Sequence, residues 1–312
     1  MIKHALSKQR GIVCVSPPAG SSAYTPREAR RHLKIDLAAV ARAARFRMID
    51  PRWLLTVMVD WLVIVVAFAI AGYVGSLLVY WIASLVIGNR IHALGVMGHD
   101  GAHGNAARMP WLNDLLTGVL IFWPAGLTVS GYRRFHFAHH RFLGTARDPE
   151  QAIKHWTTPE WRTPFHLSEI AICFAKDMMG YGAIDLVRIT HAHRPQKTLA
   201  MTGPLCATIA LWWFCWGHWW ILALWYFSLA TSFWAVIRLR TYLEHVGTDG
   251  TWRIELPWWI RPVLAPHWVG LHYEHHQHPS VPSRRLCQVR LADHSTPVIA
   301  VPMLVQRLGT VL

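Results

Sequence analysis

Trp53–Asn89, WLLTVMVDWLVIVVAFAIAGYVGSLLVYWIASLVIGN, is almost wholly apolar and holds no lysine or arginine. It is nearly twice as long as the ~20 residues one helix needs to cross a hydrocarbon core. Gly72 and Gly75 mark a break near its middle. The stretch therefore predicts a tight hairpin of two spans, at about 53–72 and 75–95. Asp60 is the one acidic residue inside it. Carboxylates within spans are functional candidates by default, but this one lies near the cytoplasmic end, where a snorkelling or hydrogen-bonded structural role is expected.

A second apolar block, about Leu199–Ile237, repeats the pattern. Gly217-His218 and a group of tryptophans (Trp212, Trp213, Trp216, Trp219, Trp220) lie at its centre. Tryptophan favours the membrane–water interface, so the turn belongs at the outer face, with spans at about 199–216 and 219–240. The 31 Lys and Arg avoid both blocks: eleven fall in residues 1–52, twelve in 90–198 and eight in 238–312. This is the positive-inside pattern. It reads the net charge of +14 as membrane topology rather than nucleic-acid binding, and no nucleic-acid partner is expected. The expected fold is an all-α membrane protein, four transmembrane helices in two hairpins with a cytoplasmic helical cap. Residues 1–52 form a basic cytoplasmic segment with an amphipathic stretch near Glu28–Met48. Residues 53–312 form the membrane domain, its cap drawn from 96–198 and 241–312. Both termini then lie in the cytoplasm. Leu115–Val129 and Phe165–Leu186 are apolar but interrupted, and read as interfacial or re-entrant helices. No cleavable leader is expected, and the five scattered cysteines carry neither a disulfide framework nor a zinc ribbon.

Three histidine clusters lie outside the apolar blocks: His99-x-x-x-His103, His136-x-x-His139-His140 and His272-x-x-His275-His276. Spacings of three and four put these rings on one helix face. Neutral imidazole suits iron, zinc, copper or nickel, and eight such ligands suggest more than one ion. The topology puts all three clusters on the cytoplasmic side.

The chain resembles the membrane fatty acid desaturase family, whose boxes read H-x-x-x(x)-H, H-x-x-H-H and H/Q-x-x-H-H. The similarity runs from about Ile91 to Leu286. It includes Gly98-His99-Asp100, Asp148-Pro149-Glu150 after the second box, and Glu274-His275-His276-Gln277-His278-Pro279-Ser280-Val281-Pro282 around the third. About 32 residues separate His103 from His136, which fits the family. The resemblance implies a ninth ligand from beyond the fourth span, His245. The implied metal set is His99, His103, His136, His139, His140, His245, His272, His275 and His276, holding two irons that use O2 against an unactivated C–H bond of an acyl lipid. Thr241 departs from the pattern, since well-known acyl-CoA members carry an Asn there that supports a metal-bound water.

The chain shows neither a fused cytochrome b5 motif nor a ferredoxin-like cysteine run. An external electron donor of ferredoxin, rubredoxin or cytochrome b5 type is implied, and Arg133, Arg134, Arg141, Arg284 and Arg285 could steer an acidic carrier. Asp100, Asp148 and Glu274 are candidates for fixing a ligand imidazole's tautomer, as is His278 for orienting the third box. His92 reads as outer-shell or structural, and His191 and His193 as surface groups. A carotenoid ketolase or hydroxylase shares H-D-x-x-H-G, and a lipid hydroxylase could use the same site. A non-catalytic membrane metal- or haem-binding protein is the alternative of another class.

Overall fold

A computed structural model describes residues 48–150, 167–183, 208–210, 213, 217–245, 248, 250–292 and 298–300. The first apolar block folds as two antiparallel helices, α1 (Pro51–Val74) and α2 (Leu77–Ala102). Asp50 starts α1 by accepting hydrogen bonds from the backbone N–H groups of Arg52 and Trp53, ahead of a proline in the first turn. Gly75 ends it in the left-handed conformation, φ 66°, which glycine adopts without steric cost. Ser76 then caps α2 through Oγ. The break falls at Gly75–Ser76. Gly72, expected to share in it, stays helical and packs instead against the Trp220 ring.

Trp53, Val57, Asp60, Ile64, Phe68 and Ala71 line the buried face of α1. Its other side, with Leu55, Leu62, Val66 and Ile70, is exposed and equally apolar. A helix apolar all round belongs in protein interior or lipid. At ~1.5 Å per residue the 24 residues of α1 are long enough for a hydrocarbon core. Three described helical runs are long and apolar enough to cross a membrane: Pro51–Val74, Leu77–Ala102 and Trp219–His245.

The third run begins as α6 (Trp219–Ser228), widens into a π-helical turn at Leu229–Phe233 and ends as α7 (Trp234–His245). The π turn lies against α2, where Ser232 donates from Oγ to the Ser84 carbonyl at 2.7 Å. Gly88 permits that approach, because a Cβ there would sit 1.9 Å from Ser232 Oγ. Most of the expected span at about 199–216 lies outside the described residues.

Between the histidine end of α2 and the second box, α3 (Pro110–Thr117) runs through a π turn (Gly118–Phe122) and a 3-10 turn (Trp123–Ala125). The chain then bends by 88° into α4 (Val129–Phe142). Irregular backbone among apolar elements needs partners for its carbonyls. Trp61 donates from Nε1 to Leu120 O at 2.9 Å, and Trp225 to Pro124 O at 3.0 Å. Those two indoles also stack, centroids 5.4 Å apart. The expected helix around residues 165–186 is α5 (Leu167–Met178), packed on α7.

After α7 come short pieces: α8 (Arg261–Leu264), a 3-10 segment (Pro266–Leu271), α9 (His272–Gln277), a 3-10 turn (Ser283–Arg285) and α10 (Leu286–Ala292). Two strands of two residues each, β1 (Ile254–Glu255) and β2 (Ile299–Ala300), pair in parallel. The described fold is thus mostly helical rather than wholly so.

Candidate metal centre

The first box occupies the last turn of α2, with His99 inside the helix and His103 as its C-cap. The second rides on α4, started by Thr128, whose Oγ1 accepts from the Gly131 N–H. The third makes up most of the six-residue helix α9. His245 is the last residue of α7.

The nine imidazoles sort into two groups. His99, His103, His136, His140 and His275 form one; His139, His245, His272 and His276 form the other. Within each, one ring nitrogen per residue lies within 4.8 Å of all the others. The groups adjoin, with the His140 and His276 rings 4.4 Å apart. Boxes two and three are each divided between them.

In the first group His103 and His136 bring their Nε2 atoms to 2.9 Å, His136 and His140 to 2.9 Å, and His140 and His275 to 3.0 Å. In the second, His272 lies 3.0 Å from His276 and 3.3 Å from His245, again through Nε2. An imidazole nitrogen has one in-plane site, holding either a proton or a lone pair. Shared protons therefore cannot satisfy His136 and His140, each of which faces two neighbours. His99 Nε2 is buried with no hydrogen-bond partner among the described residues. Lone pairs converging on a common cation resolve both observations, since nitrogens about 2.1 Å from one ion stand ~3 Å apart. The residues fit a pair of metal ions.

Outer contacts set the rings. His139 donates from Nδ1 to Asp148, at 2.9 and 3.1 Å from its two oxygens, with Glu150 Oε2 at 3.4 Å. His245 donates from Nδ1 to the Gly250 carbonyl at 3.0 Å. Both acceptors carry no proton to give, so in each ring Nε2 keeps its lone pair for the centre. Asp100 and Glu274, candidates for the same task, serve another. Asp100 accepts from Ser283, at 3.2 Å from N and 2.8 Å from Oγ, tying α2 to the turn after the third box. Glu274 accepts from Arg253 at 2.6 Å and from Arg290 at 2.8 and 2.9 Å, tying α9 to the residue that precedes β1 and to α10.

His92 lies outside both groups, its Nδ1 3.3 Å from Val263 O and its Nε2 3.5 Å from Arg240. Thr241 donates to the Arg238 carbonyl at 3.2 Å, and His278 is in neither group. His191 and His193 lie outside the described residues. Sequence reasoning missed the Arg240–Glu244 pair, 2.9 Å apart, which puts Glu244 Oε2 3.7 Å from His272 Nε2. The i, i+4 spacing of opposite charges, Arg240 to Glu244, just before His245 was the available signal.

Burial dominates the electrostatics of the two groups. His139 is 2% exposed and His275 3%. Desolvation, then neighbouring imidazoles, push His276 down to about 2 and hold His272 and His275 well below 6.5. Desolvation and His140 bring His103 to about 3. All four stay in the neutral form that ligates metals.

A family profile described as Fatty acid desaturase matches residues 75–297. The sn-1 acyl-lipid omega-3 desaturase (ferredoxin) of Nostoc sp. (strain 36) is 34% identical over 115 residues, 37% of this chain and 32% of that protein. The matched stretch thus spans about a third of the curated relative. The profile covers both histidine groups whole, from the turn that opens α2 to beyond the third box, and on that ground the chain belongs to the fatty acid desaturase family.

Proposed function

We propose that this chain is an O2-dependent desaturase that holds two irons and inserts a double bond into the acyl chain of a lipid, with electrons from a separate carrier. The observation that carries the reading is the gathering of nine imidazoles into two adjoining, buried groups. The nine are the proposed ligands. Bound iron would supply the activation of O2 that an unactivated C–H bond demands, since such a bond gives side-chain acids and bases nothing to act on. The protein's part is to hold and orient. Asp148 and Gly250 fix two ligand rings, Asp100 and Glu274 brace the third box, and burial keeps the ligands neutral and bulk water out.

The proposed layout is four spans in two hairpins, residues 53–312, preceded by a basic segment at 1–52. The distribution of Lys and Arg supports placing the cap, the metal centre and both termini in the cytoplasm. The relative's name pairs an acyl lipid with ferredoxin, and we carry both to this chain as substrate class and donor type. Of the five arginines suggested for an acidic carrier, Arg133 is engaged with Asp114 at 2.6 and 2.9 Å and Arg284 with Asp50. Arg134 and Arg141 are exposed and better suited to meet it.

The test is expression in a lipid-rich bacterial host, with mass spectrometry of acyl chains and metal analysis of the purified protein. The expected result is acyl chains short of two hydrogens and about two irons per chain, both lost with His139→Ala. Chains that gain an oxygen atom would make it a hydroxylase. A haem spectrum, or zinc alone after growth in ample iron, would overturn the reading.

A further inference from the structure

Asp60 lies in the first half of α1, on a helix otherwise almost wholly apolar, and is 0% exposed. A carboxylate there persists only with partners, and among the described residues it has two. Arg90 of α2 reaches Oδ1 at 3.0 Å, and His267 donates from Nε2 to Oδ2 at 2.6 Å. His267 is 207 residues away in sequence, in the 3-10 segment that leads directly into α9.

That segment is strained. His267, at φ 51°, and Trp268, at φ 72°, are the non-glycine residues with positive φ among those described. Side chains with a Cβ avoid this region, and such conformations last only where the surroundings impose them. Contacts from the first hairpin hold the chain on its approach to this segment. Asn89 donates to Val263 O at 3.0 Å, Arg90 to Pro262 O at 3.2 Å, and His92 lies 3.3 Å from Val263 O. The Asp60–His267 bond is the last of these before the chain turns into α9. That helix has six residues, too few to hold itself, yet it supplies His275 to one group and His272 and His276 to the other.

We infer that Asp60 is a positioning residue for the metal centre: through His267 it holds the left-handed turn that sets the third histidine box against both groups. The inference rests on the nine imidazoles being metal ligands. Asp60 belongs to neither histidine group. Its carboxylate, neutralised by Arg90, is a fixed post in the membrane hairpin to which the cap's ligand helix is tied.

The test compares wild type with Asp60→Ala, His267→Ala and His267→Gly as full-length chains in detergent. Metal affinity is read by chelator competition, ligand field by the visible absorption of the cobalt(II)-loaded protein, and folding by size-exclusion profile and thermal unfolding. Asp60→Ala and His267→Ala are expected to weaken metal binding about 10-fold or more and to alter the cobalt spectrum. His267→Gly loses the same hydrogen bond but enters the left-handed region freely, so it should recover most of the affinity. A role confined to stability would lower the unfolding temperature of the alanine variants while leaving their metal affinity and cobalt spectrum as in wild type, and that result overturns the inference, as does a His267→Gly that binds metal no better than His267→Ala. If Asp60→Ala fails to fold, the two His267 variants still decide. A wild type that binds no pair of metals would instead sink the metal-centre reading, and this inference with it.

Discussion

Asp148 lies nine residues beyond His139, and the turn through Thr145 brings it back onto the His139 ring. Losing this acceptor should cost the second group about 10- to 100-fold in metal affinity. Asp148→Ala is expected to show that loss by chelator competition, with Asp148→Asn, which keeps one carbonyl oxygen, in between. This residue was legible in the sequence because box and carboxylate share one local segment. Asp100 and Glu274 are just as close to their boxes in sequence and suggest the same role, but they hold other partners. Ser283 lies 183 residues from Asp100, and Arg253 lies 21 and Arg290 16 from Glu274. No local pattern displays pairings over such distances. His267 was invisible for the same reason: its backbone conformation and its partner both come from tertiary packing.

Hairpin, histidine helices and the bent passage between them follow from hydropathy and i, i+3, i+4 spacing, which depend only on neighbouring residues. The π turns at Gly118–Phe122 and Leu229–Phe233 were not foreseen, because they arise where one helix accommodates the packing of another. Gly88 tests that packing. A Cβ at Gly88 would lie 2.8 Å from the Phe233 backbone nitrogen as well as against Ser232, so Gly88→Val is expected to cost about 3 kcal/mol. Gly95, where a Cβ would meet nothing within 4 Å, should accept alanine without loss. Thermal unfolding of the two variants in detergent makes the comparison. A pH response belongs to these elements too. The folded, metal-free chain holds its third-box rings and His103 below 6.5, so as pH drops through 6.5 the unfolded chain takes up protons that the folded chain refuses. Stability is therefore full above that value and declines below it. The unfolding midpoint of the apoprotein should fall steadily between about pH 7.5 and about pH 5.

Over the whole molecule, the apolar exterior of the spans is not the only greasy surface. Trp258 is 80% and Trp259 64% exposed, on the same stretch whose next residues, Pro262 and Val263, dock on α2 at Asn89. Exposed indoles of this kind suit a membrane–water boundary. The division of boxes two and three between the groups has a consequence for assembly. On the proposed ligand set, an ion captured by the first group would order α4 and α9 and thereby place His139, His272 and His276 for the next ion, so the second arrival would meet less conformational entropy to remove. Uptake should be cooperative. Titrating the apoprotein with less than its full complement of ferrous iron is expected to yield empty and doubly loaded chains, with few single occupants, in native mass spectra. A population dominated by singly loaded chains would mean that the two halves of the centre fill independently.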